Sequence, residues 1–338
     1  MQHQIDNEKE NIIDITINEN KNIFYNGETI NGSISINSNK IFAIVNLYLI
    51  KKENYIINSK ANERNSHINK KEYEIIEPNQ NILFNIQIPD DVPPSFEFFT
   101  NKYQIYIRYY LMVEFEESNH LTTNYKSILI KNIKTLTSEK LIKFRSNISR
   151  LFFNKGYCDG SIKLPTQNIK MGEMIYFTIE INNKSSFDVQ HIKINLLREI
   201  NTNDGRIKEE HLLSRCIIKW VILSQSKNEC NFRLKIQDNE LKYVNLQNWD
   251  FDNKNEMDID EFFCSVSSEL FECKYHLKVT VYFSSFVKHN SRPRVLIPFN
   301  VCHKTSEENE EEKNVSITEH NSINLTGIES LNLDKKDD

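Results

Sequence analysis

The chain has 338 residues, about twice the usual domain size, so two domains are expected, each burying its own core. With only 7 Gly and 7 Pro against 44 Asn and 45 Ile, it is neither collagen-like nor Gly- or Pro-rich. GxGxxG and GxxxxGKS/T are both absent, which excludes nucleotide folds built on glycine-rich phosphate loops. The net charge of -5, with charged residues of both signs, gives no global basic field, so nucleic acid is not an expected partner.

Along the chain, short segments alternate apolar and polar residues with period two, the sign of half-buried strands in antiparallel sheets. In order they are Ile12–Ile17, Ile30–Ile36, Ile44–Ile50, Ile82–Ile88, Ile105–Phe115, Ile175–Ile181, Ile192–Leu197, Phe232–Ile236 and Tyr275–Phe283. Helical periodicity is nearly absent, and Asn, Ser and Lys turns separate the segments. The expected class is all-β: two tandem immunoglobulin-like β-sandwiches.

An internal repeat supports two copies of one domain. Gly27-Glu28-Thr29-Ile30 leads into Ser33-Ile34-Ser35-Ile36, and Gly172-Glu173-Met174-Ile175 leads into Thr178-Ile179-Glu180-Ile181, at a constant offset of 145. The expected division is residues 1–134 and 156–303 for the two sandwiches, 135–155 for a basic linker, and 304–338 for a disordered tail. The tail holds ten acidic and four basic side chains, so the acidity of the chain belongs to it. Residues 131–155 carry seven basic side chains against Glu139, interleaved with Leu141, Ile142, Phe144 and Ile148. Two readings stand: a connector whose apolar side packs between the domains, or an amphipathic segment in weak contact with anionic lipid.

No catalytic or metal constellation is legible. The six cysteines lack CxxC spacing and read as buried free thiols. The nine histidines are scattered, and HExxH and GxSxG do not occur. No enzyme activity, metal or cofactor is expected, an enzyme on a β-sandwich scaffold being the remote alternative. Asp250, Asp252, Asp258 and Asp260 form an acidic loop without the glycine and closing Glu of a calcium loop. No apolar run approaches the roughly 20 residues that cross a bilayer, and residues 1–10 are polar, so a soluble, non-secreted, cytoplasmic protein is expected.

The segment Ile86-Gln87-Ile88-Pro89-Asp90-Asp91-Val92-Pro93-Pro94-Ser95-Phe96, with the tyrosine-containing alternating strand Ile105–Val113 after it, resembles the amino-terminal domain of arrestins and arrestin-domain-containing proteins. The Gly27-Glu28 turn resembles the entry to that domain. Residues 171–197, through Gly172-Glu173, are similar to the opening of the family's carboxyl-terminal domain, and the stretch through Pro298 to its closing strands. Physically, Gly27, Glu28, Gly172 and Glu173 suit tight turns, and Pro89, Pro93, Pro94 and Pro298 suit strand ends and corners.

The resemblance implies an arrestin-like adaptor. It would bind cytoplasmic segments of membrane proteins and link them to endocytic or vesicular sorting, at the plasma membrane or endosomes, with a role in protein transport and signal transduction. The alternative is a retromer-type arrestin-like coat subunit. By the same resemblance, Asp258 or Asp260 would supply acid to a buried charged core, the simpler reading being a solvated loop. Leu325, Ile328 and Glu329 outline a degenerate clathrin-binding box, which would make clathrin or coat components partners. PPxY, the ligand of ubiquitin-ligase WW domains, is absent, since Pro93-Pro94 runs into Ser95-Phe96.

Overall fold

A computed structural model of the protein describes residues 13–36, 44–74, 80–117, 120–132, 139–150, 153–171, 173–235, 264–284, 287 and 289–303. Residues Met1–His303 belong to one compact unit. It is made of two sandwiches. The first contains β1 (Ile13–Ile17), β2 (Ile23–Tyr25), β3 (Thr29–Ile36), β4 (Ile44–Ile57), β5 (Lys60–Glu74), β6 (Asn81–Gln87), β7 (Phe96–Phe99), β8 (Tyr103–Glu117) and β9 (His120–Lys131). The second contains β10 (Lys140–Arg150), β11 (Phe153–Leu164), β12 (Asn168–Lys170), β13 (Met174–Ser185), β14 (Val189–Thr202), β15 (Lys208–Ile222), β16 (Ser226–Lys235), β17 (Val266–Ser267), β18 (Phe271–Phe283) and β19 (Arg294–Cys302).

In the first sandwich a three-stranded sheet, β1-β3-β6, faces a larger one ordered β2-β9-β8-β4-β5, with β7 on β8. In the second, β10-β11-β13-β16 faces β12-β19-β18-β14-β15, with β17 on β18. The two orders correspond strand for strand, βn with βn+10. The offset of 145 carries β2 onto β12, and carries β4 onto β14 at both ends. The repeat therefore extends well beyond the Gly-Glu motif that reveals it.

Alternation explains the cores. In β3 the side chains of Ile30, Ile34 and Ile36 are buried, and across the sandwich so are Val45, Leu47 and Leu49 of β4. In the second copy Ile175, Phe177, Ile179 and Ile181 of β13 are buried, together with Ile192, Ile194 and Leu196 of β14. Each such side chain taken from water contributes about 1.5–3 kcal/mol before entropy is counted. Where a strand must pass very close, glycine is required. A Cβ on Gly160 of β11 would lie 2.0 Å from the Glu180 carbonyl oxygen of β13 and 2.9 Å from the Phe144 ring.

The expectation of a linker over 135–155 fails in its described part. Lys140–Arg150 is a strand, β10, paired antiparallel with β11 from Lys140↔Leu164 to Arg150↔Phe153. The reason is local: Ile142 and Phe144 pack on the core and Ile148 is buried, while Leu141, Lys143 and Arg145 point outward. This is the period of a strand, so the described segment is part of the second sandwich rather than a linker. Among the described residues it is also the one strand of the second sandwich with no counterpart in the first.

Candidate functional site

The expected motif residues of the first copy come together. Gly27 has φ +82°, a left-handed conformation that favours glycine, and a Cβ there would displace the Asp90 carboxylate, whose Oδ1 would lie 2.3 Å away. Its N–H donates to the Ile88 carbonyl at 3.1 Å, directly before Pro89. Asn26 Nδ2 ties the same turn to the carbonyls of Asp90 (2.9 Å) and Val92 (2.7 Å). Glu28 closes the turn: its N–H donates to the Tyr25 carbonyl (3.0 Å) and its carboxylate accepts from the Tyr25 N–H (2.9 Å). Glu173 repeats both bonds with Lys170, at 3.1 and 3.3 Å, the same distance of 145 along the chain.

Pro93 and buried Pro94 turn the chain into β7. The Pro93 carbonyl takes the Tyr109 hydroxyl at 2.5 Å, and Ser95 exchanges two hydrogen bonds with Ile130. Pro298 is exposed in β19, opposite His276 and ahead of the stretch that pairs with β12, where a missing amide donor is tolerated. Gly172, Asp258, Asp260, Leu325, Ile328 and Glu329 lie outside the described residues.

The more informative site joins the two sandwiches, and of these motifs the proline corner reaches it, through Phe96. Strands β4 and β8 are 14 and 15 residues long, longer than the core they cover. The inward register that begins with Val45, Leu47 and Leu49 continues into Lys51, Glu53 and Tyr55, which lie opposite Tyr109, Ile107 and Ile105 of β8. These side chains meet the second sandwich. Glu53 is 0% exposed; its Oε1 accepts from the Leu270 N–H at 2.6 Å and from the Ser268 hydroxyl. Lys51, 4% exposed, places Nζ 3.3 Å from Glu53 Oε2 and 3.2 Å from Glu269 Oε1. Arg64 of β5 reaches the other oxygen of Glu269 at 2.6 Å.

Beside this charged set, the Tyr55 hydroxyl donates to Asp204 and accepts from Asn62 Nδ2 at 2.9 Å. Burial, then the Asp204 bond, raises the Tyr55 pKa. The same bond is the main cause holding Asp204 below the ordinary carboxylate value. The Tyr103 hydroxyl donates to Glu209 at 2.8 Å. Phe96 packs on Phe271 with centroids 5.3 Å apart, and the Arg198 guanidinium lies over the Phe98 ring at 4.5 Å. His211 packs edge-on to Phe98 at 5.6 Å; burial, then the Arg198 charge, lowers its pKa.

Glu53 and Arg198 occupy equivalent positions of the repeat, 145 apart, and each is buried in the joint with opposite charge. A buried charge is tolerated only where fixed partners replace its water. For Glu53, the loop 268–270 of the other sandwich provides them. The geometry suits mechanical coupling. Burial pushes the thiols of Cys158 and Cys273 up to about 12, which keeps them protonated and inert. Sequence reasoning missed Lys51, Glu53 and Tyr55, although the alternation of β4 runs straight through Lys51-Lys52-Glu53-Asn54-Tyr55 and assigns those three to the inner face.

A family model described as the carboxyl-terminal domain of arrestin (or S-antigen) matches the chain twice, over residues 9–133 and 154–306. One model matching both halves agrees with the strand-for-strand repeat. No curated protein matches the chain significantly. Among the described residues no helix is long and apolar enough to cross a membrane. With a domain match over most of its length and the duplicated sandwich that the match implies, the chain belongs to the arrestin family of adaptors.

Proposed function

We propose that the protein is an arrestin-like adaptor that binds cytoplasmic segments of membrane proteins and connects them to endocytic or vesicular sorting machinery. The joint is the observation that carries this reading. Two sandwiches locked by buried charges present their outer strands and loops at a fixed spacing, which is the property a scaffold needs and a hydrolytic site does not. Open sheet edges supply binding through main-chain hydrogen bonds without catalysis. The clathrin contact through Leu325, Ile328 and Glu329 belongs to the same reading. So does the contact of residues 131–155 with anionic lipid, for which Lys143 and Arg145, exposed on β10, have the right charge.

The test is affinity capture from detergent extracts of membranes, using the full chain and a chain ending at residue 303. The expected result is recovery of transmembrane proteins by both, with coat components lost from the shorter one. Recovery of neither by well-folded bait refutes the proposal. Elution of the native protein in one large stoichiometric assembly would instead identify a coat subunit of the retromer type.

A further inference from the structure

Strands β5 and β15 hold the same place in the two copies. Each is the last strand of a large sheet, bonded to β4 or β14 on one side and, among the described residues, to no strand on the other. Such an edge is a template for one more strand unless charge or shape defends it. β5 is defended: Glu63, Arg64, Asn65, Lys70 and Glu72 are exposed, while Ile68 and Tyr73 turn toward the core. β15 is not. Leu212, Ile217 and Val221 are 46%, 62% and 52% exposed, and partly buried Trp220 lines the rim 5.6 Å from Phe232.

The exposed charges of this edge are arranged regularly. Arg215, Ile217 and Lys219 alternate on the solvent side of β15. The adjoining strands add two cations: Lys278 lies in the row of Arg215, across neutral Asn195, and Lys193 lies beside Ile217. Lys278 reaches Glu210 at 3.9 Å, but Arg215, Lys219 and Lys193 make no ion pair among the described residues. Cations at both ends of a four-residue spacing, with an exposed Ile between them and Ile218 and Trp220 on the other face, specify a ligand.

We propose that β15 receives an extended acidic segment of a partner protein as an added strand. Two acidic side chains four residues apart would meet Arg215 and Lys219, with apolar residues between them over Ile217 and Ile218. Main-chain bonds would supply affinity and the charge spacing would supply register. This deepens the adaptor reading by naming the surface and the chemistry of the segment, and rests on that reading only for the segment's source.

The experiment measures fluorescence anisotropy of the full chain with a labelled decapeptide of threonine and valine carrying two glutamates four residues apart. Two controls carry the glutamates three apart, which places them on opposite faces of a strand, or lysines in their place. The first peptide is expected to bind at least about tenfold more tightly than either control. It should lose about tenfold on combining Arg215→Glu with Lys219→Glu, and hydrogen exchange should slow across residues 214–221 when it is bound. Ile217→Thr, a milder exposed change, should also weaken binding, which keeps the test decisive if the charge-reversed chain fails to fold.

Absence of binding, equal binding of the peptide with glutamates three apart, or binding without protection of β15 overturns the proposal. So does retention of phosphatidylserine vesicles, rather than the peptide, by these same side chains. Membrane capture with the same variants separates the two readings. Cargo recovered without peptide binding refutes the strand addition alone, and peptide binding without cargo refutes the adaptor reading alone.

Discussion

Replacing Glu53 by alanine tests whether the joint is held by fixed charge. The substitution removes the acceptor of the Leu270 N–H at 2.6 Å and of the Ser268 hydroxyl, and leaves Lys51, 4% exposed, with Glu269 as its remaining carboxylate. Hydrogen bonds to a buried charge contribute about 1.5–3 kcal/mol each, and removing one member of a buried pair typically costs about 3–5 kcal/mol because the other charge stays behind. The loss falls on the contact between sandwiches, not on either core.

Hydrogen exchange at the Leu270 amide reads that contact directly. At about 1.4 kcal/mol per power of ten, Glu53→Ala should speed its exchange by roughly two to four powers of ten. Amides in the core strands β3 and β13 should keep their native rates. The pair Lys51→Met with Glu53→Leu should regain part of the loss, since apolar replacement of a whole buried pair is commonly tolerated. Wild-type exchange at Leu270 in Glu53→Ala, or a uniform acceleration through both cores, would refute the reasoning.

Gly160→Ala should cost about 1–3 kcal/mol of overpacking, because its Cβ would meet the Glu180 carbonyl oxygen and the Phe144 ring; Gly205→Ala, at φ +73° with nothing within 4 Å, should cost about 1 kcal/mol from backbone strain. Thermal melting of the two variants checks the order. His211 is held neutral by burial and by Arg198, with Glu209 opposing at 3.3 Å, so its folded pKa lies below the unfolded value of about 6.5. Its contribution is therefore fully present above pH 6.5 and is lost as pH falls toward the folded pKa. The melting temperature should drop more between pH 7.5 and 5.5 in the wild type than in His211→Gln, and equal drops would refute the assignment. With an aromatic disulfide reagent, Cys216 and Cys230, both partly exposed, should react in the native protein, and Cys158, Cys264, Cys273 and Cys302 only on unfolding.

Much of the architecture was legible because strands that cover one core repeat a period of two, and a duplicated domain repeats it at a fixed distance. Ile82–Ile88 and Ile175–Ile181 needed nothing beyond their alternation to be read as strands. The edges were not legible. β5, with the sequence KANERNSHINKKEYE, carries too few apolar residues to show a buried face, because one flank of an edge strand is wet. β10 was obscured by its lysines and arginines, whose regular outward placement was itself the strand signal. The joint escaped for a different reason: Lys51 and Glu53 look solvated in any local window, and only the continued parity of β4 turns them inward. Of the acidic loop and the tail motif, the residues singled out lie outside the described part of the chain.

The joint also has a consequence for assembly. Its two sides are drawn largely from corresponding pieces, the ends of β4, β5 and β8 on one side and of β14, β15 and β18 on the other, as in a twofold dimer whose subunits have been fused. Fusion makes the contact intramolecular, so it stays closed at dilutions that would dissociate a free dimer of the same interface. Glu53 in one copy and Arg198 in the other then make the halves unequal, because a second copy of the first half would bring a buried carboxylate to the position where this joint holds a guanidinium. The duplication thus encodes a heterodimer in one chain, and each half is the specific partner of the other.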